Sequence, residues 1–240
     1  MQQQMTGTAQ LVYSRIEAGA PSGVWSRCDF LDLGSPHAVE KALQRLTIRG
    51  EIRRPSRGLY DKPALDPVTG KWVFPPPLSY VDAIARRDNR AFLVDEVTAA
   101  HGLGLIPFRP SLTTIHGNTH PRMLKINVAR GYRNATAPII YKLAFKKSST
   151  RTAFFWAGRP PMRVIQAFHW LLDERRDLET ATQDVLQKLK DYPDRQAIAD
   201  DLRSNLSMLP DWLQPFMQQI ADAFPFRGGS SPDLVDGARF

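Results

Sequence analysis

The chain has 240 residues, of which 42% are hydrophobic and 23% are charged, and it carries a net charge of +8 with an isoelectric point near 9.8. This composition predicts a soluble globular protein and excludes a fibrous or disordered one. No apolar run approaches the roughly 20 residues that cross a bilayer, the N-terminus lacks a signal-peptide pattern, and the single cysteine excludes an internal disulfide, so we expect a cytoplasmic protein.

The charge is distributed unevenly along the chain. Residues 1–62 carry 9 Lys and Arg against 6 Asp and Glu, residues 63–150 carry 12 against 5, and residues 151–240 carry 11 against 13. The first two thirds are therefore basic, which favours a polyanionic partner.

The N-terminal segment begins with a predicted helix at residues 8–17, where apolar side chains recur at helical spacing. A short extended piece follows at Val24-Trp25. Ser26 is a suitable cap for a short second helix that runs through Leu31.

A third helix is predicted for residues 35–49. Ser35-Pro36 is a strong start signal, because serine caps the free amides and proline suits the first helical position. Gly50 tolerates the left-handed conformation that follows a helix end. The predicted buried stripe consists of Val39, Ala42, Leu43 and Leu46. Another face is polar and rich in hydrogen-bond donors, and it consists of His37, Lys41, Gln44 and Arg45.

A β-hairpin is predicted next, with a strand at 51–54, a turn at 55–58 and a return strand at 59–61. Three helices followed by a hairpin are the order of a winged helix-turn-helix, whose third helix enters the major groove of DNA. We therefore predict a DNA-binding domain at residues 1–62. Its polar helix face would contact base edges, and its phosphate contacts would come from Arg49, Arg53, Arg54 and Arg57.

This segment also resembles a known family. Residues 24–63, "VWSRCDFLDLGSPHAVEKALQRLTIRGEIRRPSRGLYDKP", together with the later phrases "VDEVTAAHGLGL" and "MLPDWL", are similar to the AbiEi-like antitoxins. These proteins are transcriptional regulators of bacterial toxin–antitoxin and abortive-infection operons. The similarity covers about residues 8–223.

The resemblance implies a winged helix that binds inverted or direct repeats in its own promoter. It also implies a C-terminal domain that counters a nucleotidyltransferase-like toxin. The family's DNA contacts would fall on the recognition-helix face His37, Lys41, Gln44 and Arg45 and on the wing arginines. No matching motif locates a toxin-contact surface.

Beyond the first domain, the sequence predicts a connector at 63–77, a C-terminal α+β interaction domain at 78–226 and a disordered tail at 227–240. Helices are predicted at 78–85 and from Asp95 to Gly104, strands at 112–115, 123–128 and 139–145, and four helices after Pro160. We expect the strands to form a small antiparallel sheet. The fold class is thus α+β, with an N-terminal winged helix-turn-helix and a helical C-terminal part.

A cluster of Lys142, Lys146, Lys147 and Arg151 follows the last predicted strand. One interpretation is a solvated strand edge, where lysines deter edge-to-edge pairing. The alternative is a second anion-binding surface for DNA flanks, RNA or an acidic partner.

No catalytic motif was found in the sequence, which has no Walker loop, no Gly-x-Ser-x-Gly elbow and no His-Glu-x-x-His. Gly34-Ser35 is similar to the short motif of nucleotidyltransferases, but no closely spaced carboxylate pair follows it to hold magnesium. We interpret it as a turn and a helix cap. His116 and His120 flank a Gly-Asn turn without further ligands nearby, so we expect no metal site, no cofactor and no enzyme.

The predicted function is that of a DNA-binding antitoxin and autorepressor with two copies bound on each operator. Its expected partners are double-stranded DNA, a toxin protein encoded nearby and a second copy of the chain on DNA, with no membrane. The alternative is a winged helix that mediates protein contacts, joined to a basic middle domain that binds RNA.

Overall fold

The computed structural model describes residues 7–129, 139–147 and 154–225, where the chain is a mixture of helices and small sheets, as the α+β prediction requires. The predicted tail at 227–240 lies outside the described residues. The helices are α1 (Thr8–Ala18), α2 (Pro36–Ile48), α3 (Pro77–Asp88), α4 (Glu96–Gly102), α5 (Met162–Asp173), α6 (Leu178–Leu189), α7 (Arg195–Asn205) and α8 (Gln214–Asp222). Every helix in these ranges is too short or too polar to cross a membrane.

The strands form three sheets. They are β1 (Val24–Trp25), β2 (Arg53–Ser56), β3 (Leu59–Asp61), β4 (Ala64–Leu65), β5 (Trp72–Val73), β6 (Phe92–Val94), β7 (Thr113–Gly117), β8 (Arg122–Asn127) and β9 (Ile140–Lys147). Their orders are β1-β3-β2, β4-β5 and β6-β7-β9-β8. The predicted connector at 63–77 therefore contains a small hairpin, β4–β5.

The N-terminal unit, residues 7–62, follows the predicted order of elements. The short second helix is a single turn of 3₁₀-helix at Arg27–Phe30. The start of α2 is confirmed in detail, because the Ser35 hydroxyl accepts a hydrogen bond from the Ala38 amide at 3.3 Å. Gly50 follows the helix with a φ of 72°, a backbone angle that glycine adopts without strain.

The hairpin after α2 is shifted from its predicted position. Pro55 and Ser56 belong to β2 and not to the turn, and the chain reverses at Arg57-Gly58, where Gly58 has a φ of 72°. The register along β2 and β3 is irregular between Arg53 and Ser56. In this register Arg53 lies opposite the buried Asp61. Arg54 therefore points to the other, exposed face, because alternate residues of a strand point to opposite faces.

The prediction of a small antiparallel sheet in the C-terminal domain needs a correction, because the four-stranded sheet is mixed. β8 pairs antiparallel with β9, but β9 inserts between β8 and β7 and pairs with β7 in parallel. The reason is topological. β8 does not pair with β7 but lies one strand further out, and β9 occupies the position between them, parallel to β7. The four helices predicted after Pro160 are confirmed as α5 to α8.

Two apolar clusters form the core. The smaller one lies within the N-terminal unit and includes Val12, Phe30, Val39 and Leu43. The larger one is formed by the helices α3 through α8 and the four-stranded sheet. It also includes Val24 and Leu59 of the N-terminal unit. The two parts of the chain therefore share buried apolar surface.

Polar contacts cross the same junction. The Arg86 guanidinium on α3 donates to Asp29 at 2.7 Å and to the Val24 carbonyl at 2.9 Å. Arg87 donates to the carbonyl of Arg57 at the tip of the hairpin, at 3.1 Å. Helix α3 is thus tied to the 3₁₀ turn, to β1 and to the hairpin turn.

Candidate nucleic-acid interface

The clearest candidate surface is the solvent-facing side of α2. Val39, Ala42, Leu43 and Leu46 are buried, as predicted, and they hold the opposite side of the helix against α1 and the 3₁₀ turn. Seven positions of α2 are exposed. At 3.6 residues per turn, five of them fall within an arc of about 100°, and the other two, Pro36 and Glu40, lie to one side of it. We call this surface the α2 face, and it consists of His37, Lys41, Gln44, Arg45 and Ile48.

The four polar side chains that the sequence predicted on this helix are brought together on the α2 face. Within the described part of the chain, none of the four side chains has a hydrogen bond or an ion pair with another residue. Their donors and acceptors are therefore directed to solvent. Lys41 and Arg45 supply only donors, whereas Gln44 and His37 can also accept.

Ile48 completes the α2 face and was not among the predicted site residues. Its side chain is 77% exposed, the largest value for an apolar residue in the N-terminal unit. It lies one turn beyond Gln44 and Arg45, so it belongs to the same face. An isolated exposed apolar residue is ordinary on a protein surface, but here it stands at the end of a row of hydrogen-bond donors.

The hairpin carries the second group of predicted residues. Arg54 is exposed on β2 and lies against the Tyr60 ring, with 5.9 Å from its guanidinium carbon to the ring centroid. Arg57 is exposed at the turn. Arg49, which follows α2, approaches the Glu51 carboxylate at 3.8 Å.

Arg53 is placed differently from the prediction. Its side chain is only 15% exposed and forms two hydrogen bonds with the fully buried Asp61 carboxylate, at 2.8 and 2.5 Å. It also donates to the carbonyl of Val128, beyond the end of β8. The prediction that Arg53 contacts a phosphate is therefore wrong for this structure, because its donors are already used inside the protein.

Tyr80 on α3 completes this buried group by donating its hydroxyl proton to Asp61 at 2.6 Å. Burial and the adjacent Asp61 charge raise the pKa of Tyr80 well above its ordinary value. The hydroxyl therefore remains a donor at any physiological pH. Arg53 and Asp61 form a structural ion pair at the junction, and Tyr80 is hydrogen-bonded to it.

The predicted second anion surface is divided by the sheet. Lys142 and Lys146 lie on one face of β9, and Lys147, as the next residue, points to the other. Arg151 lies outside the described residues. β9 is an interior strand, between β7 and β8, so the interpretation of these lysines as a strand edge is wrong.

Metal ligands do not cluster anywhere in residues 7–129, 139–147 and 154–225, where no group of three or more His, Cys, Asp and Glu side chains could hold an ion. His116 lies within β7 and His120 in the loop that follows. Ser35, the residue of the Gly-Ser motif, is a helix cap, as predicted.

Residues 15–192 of the chain match the family model DUF6088, which is described as a family of unknown function. No curated protein and no solved structure matches the chain.

Proposed function

Because the chain belongs to the DUF6088 family, whose function is unknown, we propose a function from its own residues: it is a sequence-specific double-stranded DNA-binding protein that acts through a winged helix-turn-helix at residues 7–62. The α2 face carries this proposal. It presents three donor-rich side chains, Lys41, Gln44 and Arg45, in a row on a helix whose opposite side is buried.

The chemistry of these side chains fits the major groove. The groove admits an α-helix, and its base edges offer acceptors at guanine to lysine and arginine, and both an acceptor and a donor at adenine to glutamine. The element order of helix, strand, short helix, helix and hairpin, with the sheet order β1-β3-β2, supports the winged-helix assignment. Arg54 and Arg57 are the exposed arginines of the proposed wing, where they would neutralise phosphates.

The regulatory part of the proposal rests on the sequence resemblance to AbiEi-like antitoxins. In this role the protein represses its own operon by binding repeats in the promoter, and its remaining domain counters a toxin encoded beside it. Co-expression with the adjacent gene tests the second half. Growth arrest by that gene alone, relieved by this chain, would support it, and a harmless neighbour would refute it.

DNA binding is tested by fluorescence anisotropy of the protein with its own upstream promoter and with a scrambled duplex of the same length, at two salt concentrations. We expect roughly a thousandfold or greater preference for the promoter. Equal and steeply salt-dependent binding to both duplexes would reduce the proposal to non-specific DNA binding. Binding to neither would favour the protein-contact alternative.

Ile48 is expected to contact a thymine methyl group, because an exposed apolar side chain in a row of donors suits the only apolar group of the major-groove edges. Ile48 lies seven residues beyond Lys41, about 10 Å along the helix axis and about three base pairs along DNA. Replacing the relevant thymine with uracil, which lacks this methyl group, should weaken wild-type binding about fourfold, the value of one buried CH₂ group.

The Ile48→Ala variant serves as the control for that exchange. It should bind the thymine and uracil duplexes equally, since its side chain no longer reaches the methyl position. Anisotropy titrations of both proteins with both duplexes measure the coupling directly. If the wild type binds with unchanged affinity when each thymine of the preferred duplex is replaced in turn with uracil, this contact is excluded.

A further inference from the structure

The open face of the four-stranded sheet carries a group of basic side chains that have no part in the proposed α2 contact with DNA. Tyr141, Leu143 and Phe145 of β9 are buried, so Lys142 and Lys146 point to the opposite, solvent-facing side. Because β9 is an interior strand, protection against edge-to-edge pairing cannot account for them. The exposure of two lysines on an interior strand therefore requires a different explanation.

The pairing of the strands places two further basic side chains beside these lysines. Lys142 is directly opposite Lys125 of β8, and Lys146 is level with His116 of β7. We call these four residues the outer sheet face. Like charges directly opposite each other on paired strands are destabilising. Within the described part of the chain, the three lysines have no hydrogen bond or ion pair, and none of the outward residues of β7, β8 and β9 is Asp or Glu.

A repulsive pair of this kind is expected where an external anion neutralises it. The outward positions that surround the lysines hold a single ring, the half-buried His116, and otherwise non-aromatic residues such as Met123 and Ala144. Proteins that hold single-stranded nucleic acid stack its bases on aromatic rings, whereas the backbone of a duplex needs only point charges. The outer sheet face therefore fits a duplex better than a single strand.

The sheet is also connected to the proposed wing. Arg53 of β2 donates to the carbonyl of Val128, which follows β8 directly. Val128 is only three residues from Lys125, about 10 Å along an extended chain. The hairpin of the proposed wing and the sheet that carries the lysines are thus joined through the end of β8.

We propose that the outer sheet face is a second DNA contact, which binds the phosphate backbone of the duplex that extends beyond the segment held by α2 and the wing. This inference rests on the proposed DNA-binding function. We expect this second contact to be independent of the DNA sequence, because lysines that bind phosphates carry no information about the bases. It also assigns a role to the basic middle segment of the chain.

The test uses two duplexes, the shortest that retains wild-type binding and one extended by about one helical turn, ~10 base pairs, at each end. The variant Lys142→Gln/Lys146→Gln removes two charges from β9. The control Lys188→Gln/Lys190→Gln removes the same charge from exposed positions of and beside α6. Anisotropy at about 50 and 200 mM salt gives the salt slope of each.

The wild type and the control should bind the extended duplex more tightly than the short one, and the β9 variant should lose this gain. The variant's salt slope should be smaller by about 0.9 for each lost phosphate contact, or roughly a tenfold difference over this salt range for two contacts. Its midpoint of urea unfolding should be equal to or slightly above that of the wild type, because a repulsion has been removed.

Identical slopes for the β9 variant, the control and the wild type would overturn the inference while leaving the DNA-binding function intact. A wild type that binds no duplex at all would instead refute the proposed function. If the lysines were needed for binding single-stranded RNA but not duplex DNA, the outer sheet face would belong to a different partner and the inference would be wrong.

Discussion

Replacing Asp61 with alanine should destabilise the protein by about 3–5 kcal/mol, the usual cost of removing one partner from a buried ion pair. Asp61 is fully buried and accepts hydrogen bonds from both Arg53 and Tyr80. Without it, the Arg53 guanidinium and the Tyr80 hydroxyl remain buried with unsatisfied donors. Native proteins are stable by only about 5–15 kcal/mol, so the loss should be plain in urea unfolding followed by circular dichroism.

A matched control is Glu40→Ala, which removes a carboxylate from an exposed pair with Arg27 at 3.6 Å. Exposed pairs contribute at most about 1 kcal/mol. If Asp61→Ala gives no soluble protein, Asp61→Asn keeps the shape and an acceptor for Tyr80, and it should fall between the control and the alanine variant. A loss for Asp61→Ala no larger than that for Glu40→Ala would contradict the structural role of the ion pair.

Lys41→Ala and Arg45→Ala are each expected to reduce the preference for the promoter over a scrambled duplex by about 1–3 kcal/mol, or roughly 5- to 150-fold. The reason is that side chains of the α2 face can meet the base edges, where the sequence is distinguished. Anisotropy with both duplexes measures the ratio of the two affinities. The preference should fall mainly through weaker binding to the promoter.

Arg57→Gln provides the contrast, because Arg57 lies at the hairpin turn and is proposed to contact phosphate. It should weaken binding to both duplexes alike and reduce the salt slope by about 1. The charge-matched surface variant Arg176→Gln, far along the chain, should leave both affinities unchanged. If Lys41→Ala and Arg45→Ala also weakened both duplexes equally, α2 would not be the base-contacting element.

The N-terminal helices could be predicted from the sequence because their signals are local. Ser35 and Pro36 mark the start of α2, and the buried stripe from Val39 to Leu46 determines which side of the helix faces solvent. The same helical phase would have identified Ile48 as exposed, but isoleucine in an amphipathic helix is ordinarily assigned to the core. Ile48 was therefore left out of the predicted surface because of its residue type and not because of its position on the helix.

The roles of the hairpin arginines could not be predicted in the same way. Arg53 and Arg54 are neighbours in sequence, and only the register of β2 decides which of them is buried. That register depends on Asp61 and Tyr80, and Tyr80 lies on an element beyond the hairpin. A buried partner that is distant in sequence leaves no signal in the local pattern.

The sheet order was equally inaccessible. The strands at β7, β8 and β9 were found from their apolar patterns, but the pattern does not tell that β9 lies between the other two. β6 has three buried residues in succession and no alternation, so it left no recognisable strand pattern. Strand order in turn decides whether Lys142 and Lys146 lie at an edge or in the interior.

The shared junction between the N-terminal unit and the rest of the chain has a consequence for how the protein opens. Val24 and Leu59 are buried in the larger core, and Arg53 and Arg86 donate hydrogen bonds across the junction, in opposite directions. The N-terminal unit should therefore not behave as a detachable module but should unfold together with the remainder, in one cooperative step. Amide hydrogen exchange should give the slowest sites of α2 and α5 the same opening free energy, and a lower value for α2 would reveal two independent folding units.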